Sequence, residues 1–312
     1  MTILLVAAVV LDHHPAVAGD APAPAVKFWE KALPGIPMPK SIADLVKEGS
    51  DHSPLADTKQ HSNDTVLHPD ICLSYRVNCP PGSAEAAAVE ASGLFFHETA
   101  ARAGATMTVF LPPASTKPFI SRDVADKIPF HVSDDVLTMF NIAPGSTEAA
   151  KMRDTLRGCD APPLTGELKA CATSLEAIVE AADRMLGVGG GGMWAAASAL
   201  DADGLPQRKY AVESVAPLDG GDARHVACHG VRWPFAVFQC HATAVGETKA
   251  YTVTLRSGGA TVVMAALCHR DTSGWDPQHP AFAILGTHPG GAPVCHFMPY
   301  SNLLFGKKPT NA

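Results

Sequence analysis

Four Cys-His dipeptides, Cys228-His229, Cys240-His241, Cys268-His269 and Cys295-His296, occupy the last third of the 312-residue chain. Thiols pair oxidatively or hold soft metals, and imidazoles ligate copper, zinc, iron or nickel. Adjacent residues on a strand point to opposite faces of the sheet. In a segment such as Val237-Phe238-Gln239-Cys240-His241, therefore, the thiol and the imidazole cannot serve one site. The natural division sends the thiols to one side as core disulfides and lets the imidazoles converge on a pocket. This argues against a mixed Cys/His zinc site. It makes His229, His241, His269 and His296 the candidate metal ligands, with copper the expected ion, because no carboxylate or thiolate is needed in an oxidising compartment. The alternation lapses wherever a dipeptide sits in a turn, as can happen at Cys295-His296 just before Phe297-Met298-Pro299. The plainer alternative is four hydrogen-bonded histidines packed behind disulfides.

The eight cysteines, Cys72, Cys79, Cys159, Cys171, Cys228, Cys240, Cys268 and Cys295, form an even set without a CxxC pair, which removes zinc-knuckle and thioredoxin-like readings. All are disulfide candidates, and spacing alone does not choose among their connectivities, although a local Cys72–Cys79 bridge is plausible. Formal net charge is −7 and no Lys/Arg-rich run forms a basic stripe, so nucleic acid is not an expected partner. GxSxG, HExxH and GKS/GKT motifs are absent, and Asp123, Asp126, Asp134 and Asp135 read as solvated surface.

The apolar run Ile3–Leu11 followed by Ala16-Val17-Ala18 suits a signal peptide over residues 1–18 and is too short to span a bilayer. A secreted protein is expected, and with it use of the sequon Asn63-Asp64-Thr65 for glycosylation. Residues 19–92 read as an N-terminal segment and polar linker, with a short amphipathic turn around Trp29 that Pro34, Pro37 and Pro39 terminate. A folded domain spans 93–300 and a tail 301–312. Ser146-Thr147-Glu148 opens one helix. Thr173 with Glu176 forms a capping box for another, which ends at Gly187. Residues 236–241, 251–255 and 261–269 are strands, the latter two joined by a Ser257-Gly258-Gly259 turn. The expectation is an α+β fold, mainly antiparallel β with a few helices, stabilised by disulfides.

The dipeptides are separated by 10, 26 and 25 residues. This spacing, with Phe95-Phe96, Cys171-Ala172-Thr173-Ser174, Trp233-Pro234-Phe235 and Thr272-Ser273-Gly274-Trp275, resembles the BURP domain of plant proteins. The resemblance implies a secreted protein of cell wall, vacuole or seed storage compartment, with a structural or regulatory role in wall, seed or anther development or in stress response. Its partners would be wall polysaccharide or an extracellular protein or peptide. Some family members are copper-dependent cyclases that crosslink Tyr or Trp side chains of a peptide, and for those the resemblance implies copper on the four Cys-His histidines. The repeats of two family branches are missing, and Tyr75 is the only Tyr or Trp between Val46 and Phe95. A separate peptide is therefore a better substrate than the chain itself.

Overall fold

The computed structural model describes residues 24–51, 92–114, 116–189, 191–219, 224–244 and 246–309. The expected signal peptide, Asn63 and the Cys72–Cys79 pair lie outside the described residues.

Among the described residues eleven strands form two antiparallel sheets. The first contains β1 (Phe95–Phe96), β2 (Thr106–Leu111), β5 (Leu205–Pro217), β8 (Thr248–Ser257), β9 (Ala260–His269) and β10 (Val294–Phe297), in the order β1-β10-β9-β8-β5-β2. The second contains β3 (Leu168–Ala172), β4 (Met193–Ala196), β6 (His225–Gly230), β7 (Phe238–Ala242) and β11 (Leu303–Lys307), in the order β3-β7-β6-β11-β4. With the helices described below, this is the α+β, mainly antiparallel fold expected. The β8–β9 hairpin follows from its turn: Gly258 and Gly259 both have positive φ, 58° and 85°, which a two-residue turn matching strand twist requires.

Helices pack on the outer face of the second sheet. In α6 (Leu175–Leu186), Ile178, Val179, Ala182 and Met185 are buried against that sheet. Its N-cap is Ser174, whose hydroxyl accepts from the Ala177 N–H, so the cap lies one residue beyond the expected Thr173. Gly187 ends it in the left-handed conformation, as expected. In α1 (Pro24–Ala32), Trp29 is 1% exposed and enters the same core together with Ile42 and Leu45 of α2 (Lys40–Asp51). The N-terminal segment thus belongs to the fold through these anchors. Three shorter or lateral helices, α3 (Arg122–Ala125), α4 (Asp134–Met139) and α5 (Thr147–Asp160), gather their apolar faces with Trp233 and Phe235 in a separate cluster. Last, α7 (Pro280–Leu285) leans on β1.

The boundary drawn at residue 300 moves outward. Leu303, Leu304 and Phe305 are fully buried in β11, between β6 and β4, where a tail was expected. A three-residue apolar run is too short to announce a strand, and only pairing on both edges makes it one.

Between the sheets lies an apolar layer in which Ala227, Ala250 and Ala265 pack with the larger Trp194, Leu267, Met298 and Leu304. His225, buried at one end of it, is bonded through Nδ1 to the Thr248 hydroxyl (2.8 Å) and through Nε2 to Asp219 (2.6 Å), a polar stitch from β6 to β8.

Candidate metal centre

The dipeptides are built twice, once in each sheet. In the second sheet Cys228 faces Cys240 across the β6–β7 ladder; in the first, Cys268 faces Cys295 across β9–β10. Both pairs are disulfides, with Cα–Cα distances of 4.0 and 3.8 Å, and all four cysteines are fully buried. Cys159 and Cys171 form a third, joining α5 to β3. The Cys295-His296 dipeptide lies in regular strand, so the alternation holds there too, and no turn interrupts it.

One step along each strand the side chain turns over. His229 and His241 then stand diagonally across β6–β7, and His269 and His296 diagonally across β9–β10. Within each pair the Nε2 atoms are 3.4 Å apart. The pairs meet between the sheets, with ring centroids 5.5 Å apart for His229–His296 and 6.0 Å for His241–His269. The structure therefore brings together all four histidines that the sequence singled out.

This donor set fits a metal ion. Two imidazoles on one tetrahedral ion at ~2.05 Å have nitrogens about 3.3 Å apart, close to the observed pairs. Ligation needs neutral rings. Burial, helped by the neighbouring rings, holds His229 and His269 well below the usual imidazole range, and burial brings His296 to about 4. His269 Nδ1 is buried and makes no hydrogen bond. Among the described residues no three His, Cys, Asp or Glu side chains form a complete metal-ligand group. The preformed units are thus the two pairs, and one shared ion requires the rings to close on each other.

Outer partners orient the rings. His296 Nδ1 lies 3.1 Å from the Phe297 carbonyl and donates to it, leaving the Nε2 lone pair free. His241 Nδ1 lies 3.4 Å from the Glu167 carboxylate. Asn302 Nδ2 lies 3.1 Å from His229 Nδ1.

The centre opens onto a cavity of about 270 Å³, walled by Phe95, Trp275 and His279 and by the charged Arg157, Glu167 and Lys169. Trp275 meets His269 edge-on at 4.9 Å and lies 4.6 Å from His279. His279 caps α7, its Nδ1 accepting from the Ala281 N–H, so the neutral ring carries its proton on Nε2. Sequence reasoning did not single out Glu167, Asn302 or His279 as site residues. They come from three distant segments, and only Trp275, within the Thr272-Ser273-Gly274-Trp275 motif, carried a local signal.

Two antiparallel sheets, each latched by a cross-strand disulfide and each presenting a diagonal histidine pair, define a disulfide-stabilised domain with an imidazole centre at the sheet junction. The chain belongs to the BURP-domain family, whose profile matches residues 94–307. It is 44% identical over 243 residues to BURP domain-containing protein 13 of Oryza sativa subsp. japonica, covering 72% of this chain and 58% of that protein. It is 34% identical to Protein RAFTIN 1B of Triticum aestivum over 92% of this chain and 91% of the relative, and 35% identical to BURP domain protein RD22 of Arabidopsis thaliana over 60% and 47%. The chain thus spans about half the length of some relatives and nearly all of another. Among the described residues no helix is long and apolar enough to cross a membrane.

Proposed function

We propose that the four histidines hold a copper ion and that the adjoining cavity receives a Tyr or Trp side chain of a peptide, making the protein a copper-dependent oxidative peptide cyclase of a secreted plant compartment. The convergence of His229, His241, His269 and His296 carries this reading, since four imidazoles, three of them buried and held neutral by that burial, suit copper and need no further ligand type. Bound copper would supply one-electron redox chemistry and dioxygen activation. Phe95 and Trp275 offer aromatic faces for the substrate ring, and the His279 Nε2–H is a hydrogen-bond donor at the cavity wall. In the overall balance, the peptide loses two hydrogens as the new bond closes, and dioxygen takes two electrons and two protons to become hydrogen peroxide. Three disulfides support an oxidising compartment such as the wall, vacuole or seed store.

A Cu(II) titration of the purified protein is expected to reach one ion per chain. His296→Ala should weaken binding by more than the about 10–100-fold that loss of an outer-shell partner costs. Mass spectrometry of Tyr- and Trp-containing peptides incubated with the copper-loaded protein and dioxygen should show loss of two hydrogens. Failure to take up copper removes the metal centre and leaves a structural or regulatory role. Uptake without any change in the peptides removes the cyclase alone.

A further inference from the structure

The cluster's own hydrogen bonds set two of its rings, His229 and His296, in opposite states. The Asn302 side chain is fixed at both ends: its Oδ1 accepts from the Gly230 N–H at 3.1 Å, so its Nδ2 is the atom that donates to His229 Nδ1 at 3.1 Å. A neutral His229 that accepts at Nδ1 carries its proton on Nε2, the atom aimed at His241. His296, by contrast, donates from Nδ1 to a carbonyl and shows a bare Nε2. The 3.4 Å separation of His229 Nε2 from His241 Nε2 is beyond the usual hydrogen-bond range, so that proton is weakly held in place from its own side. What keeps it there is the amide behind the ring. Asn302 is buried, immediately before β11, and the Asn302 N–H donates to the Pro299 carbonyl, which fixes the backbone below the amide.

We infer that Asn302 is a positioning residue that locks His229 in the Nε2–H tautomer and so opposes metal capture by that ring until the proton moves. This rests on the metal-centre reading above. For His229 to ligate through Nε2 its proton must go to Nδ1, where it would face the Asn302 N–H; two donors then oppose each other unless the amide turns and gives up Gly230. Outer-shell partners of ligating histidines ordinarily accept from the ring, and this one donates. Asn302→Asp keeps the shape and reverses the polarity, since a carboxylate accepts from both Gly230 N–H and His229 Nδ1–H. Asn302→Leu keeps the bulk and removes the donor.

Long-range 15N–1H correlation spectra of the metal-free full chain report which ring nitrogen of His229 is protonated, and Cu(II) competition titrations report affinity. Wild type should show Nε2–H at His229. Asn302→Asp should show Nδ1–H and bind Cu(II) about tenfold or more tighter, the scale of an outer-shell change. Asn302→Leu should lose the strict preference and bind more tightly than wild type. Nδ1–H in the wild type, or an unchanged tautomer in whichever variants fold, overturns the inference. Equal affinities within twofold despite a changed tautomer overturn it as a determinant of binding, with the metal centre intact. No copper uptake by wild type overturns the metal centre itself and this inference with it.

Discussion

Replacing Cys268 and Cys295 together by Ala is expected to lower the unfolding free energy by about 3–4 kcal/mol and to cost the proposed metal centre its His269–His296 pair. The bridge closes a 27-residue separation, for which the loop-entropy relation gives about 3.6 kcal/mol, against about 2.9 for the 12-residue separation of Cys228–Cys240. Both half-cystines are fully buried, so each truncation also loses packing in the core containing Leu94, Phe96 and Phe297. The bridge lies one residue from both imidazoles on strands whose pairing sets their diagonal, and so it holds their separation as well as the fold. Urea unfolding followed by tryptophan fluorescence measures the first effect and Cu(II) titration the second. A midpoint equal to that of the wild type would show that the strand pairing stands without the bridge.

Acidification of the metal-free protein should destabilise it well above the range in which carboxylates titrate. Burial holds His296 at about 4 in the folded state against 6.5 for a free ring, and His229 and His269 are also lowered well below 6.5. Above pH 6.5 both folded and unfolded chains carry neutral rings, and these groups contribute no pH dependence. As pH falls below 6.5 the unfolded chain binds protons that the native centre refuses, so stability falls until the folded pKa is reached. For His296 the loss is about 2 kcal/mol by pH 5 and about 3 kcal/mol once pH 4 is passed, at about 1.4 kcal/mol per unit. Denaturant midpoints between pH 7 and 5, in chelator, check this. A flat profile there would mean that the rings are charged or hydrated in the native protein.

Much of the site was legible because strand alternation is a hard rule. Once Cys240-His241 is placed on a strand, thiol and imidazole must part, and the structure extends this to Cys295-His296, where a turn was considered. The long strands β8 and β9 announced themselves by β-branched residues and a double-glycine turn. Other parts were hidden for physical reasons. Leu303–Phe305 becomes a central strand only through its neighbours β6 and β4. Ser174 outcompetes Thr173 as a cap because the helix starts one residue later. Asn302 and Glu167 reach the centre across 73 and 74 residues of sequence from His229 and His241. A single polar residue at such a distance leaves no periodic trace.

The sheets are each riveted internally, yet none of the three disulfides among the described residues runs from one sheet to the other. An apolar layer that includes Trp194, Ala227, Leu267 and Met298, the His225 stitch and the backbone connections span that gap. An ion gripped by one histidine pair from each side would act as a removable clasp there. Loading it would turn two separately fastened leaves into one closed body, and withdrawing it would leave each leaf intact while loosening the seam between them.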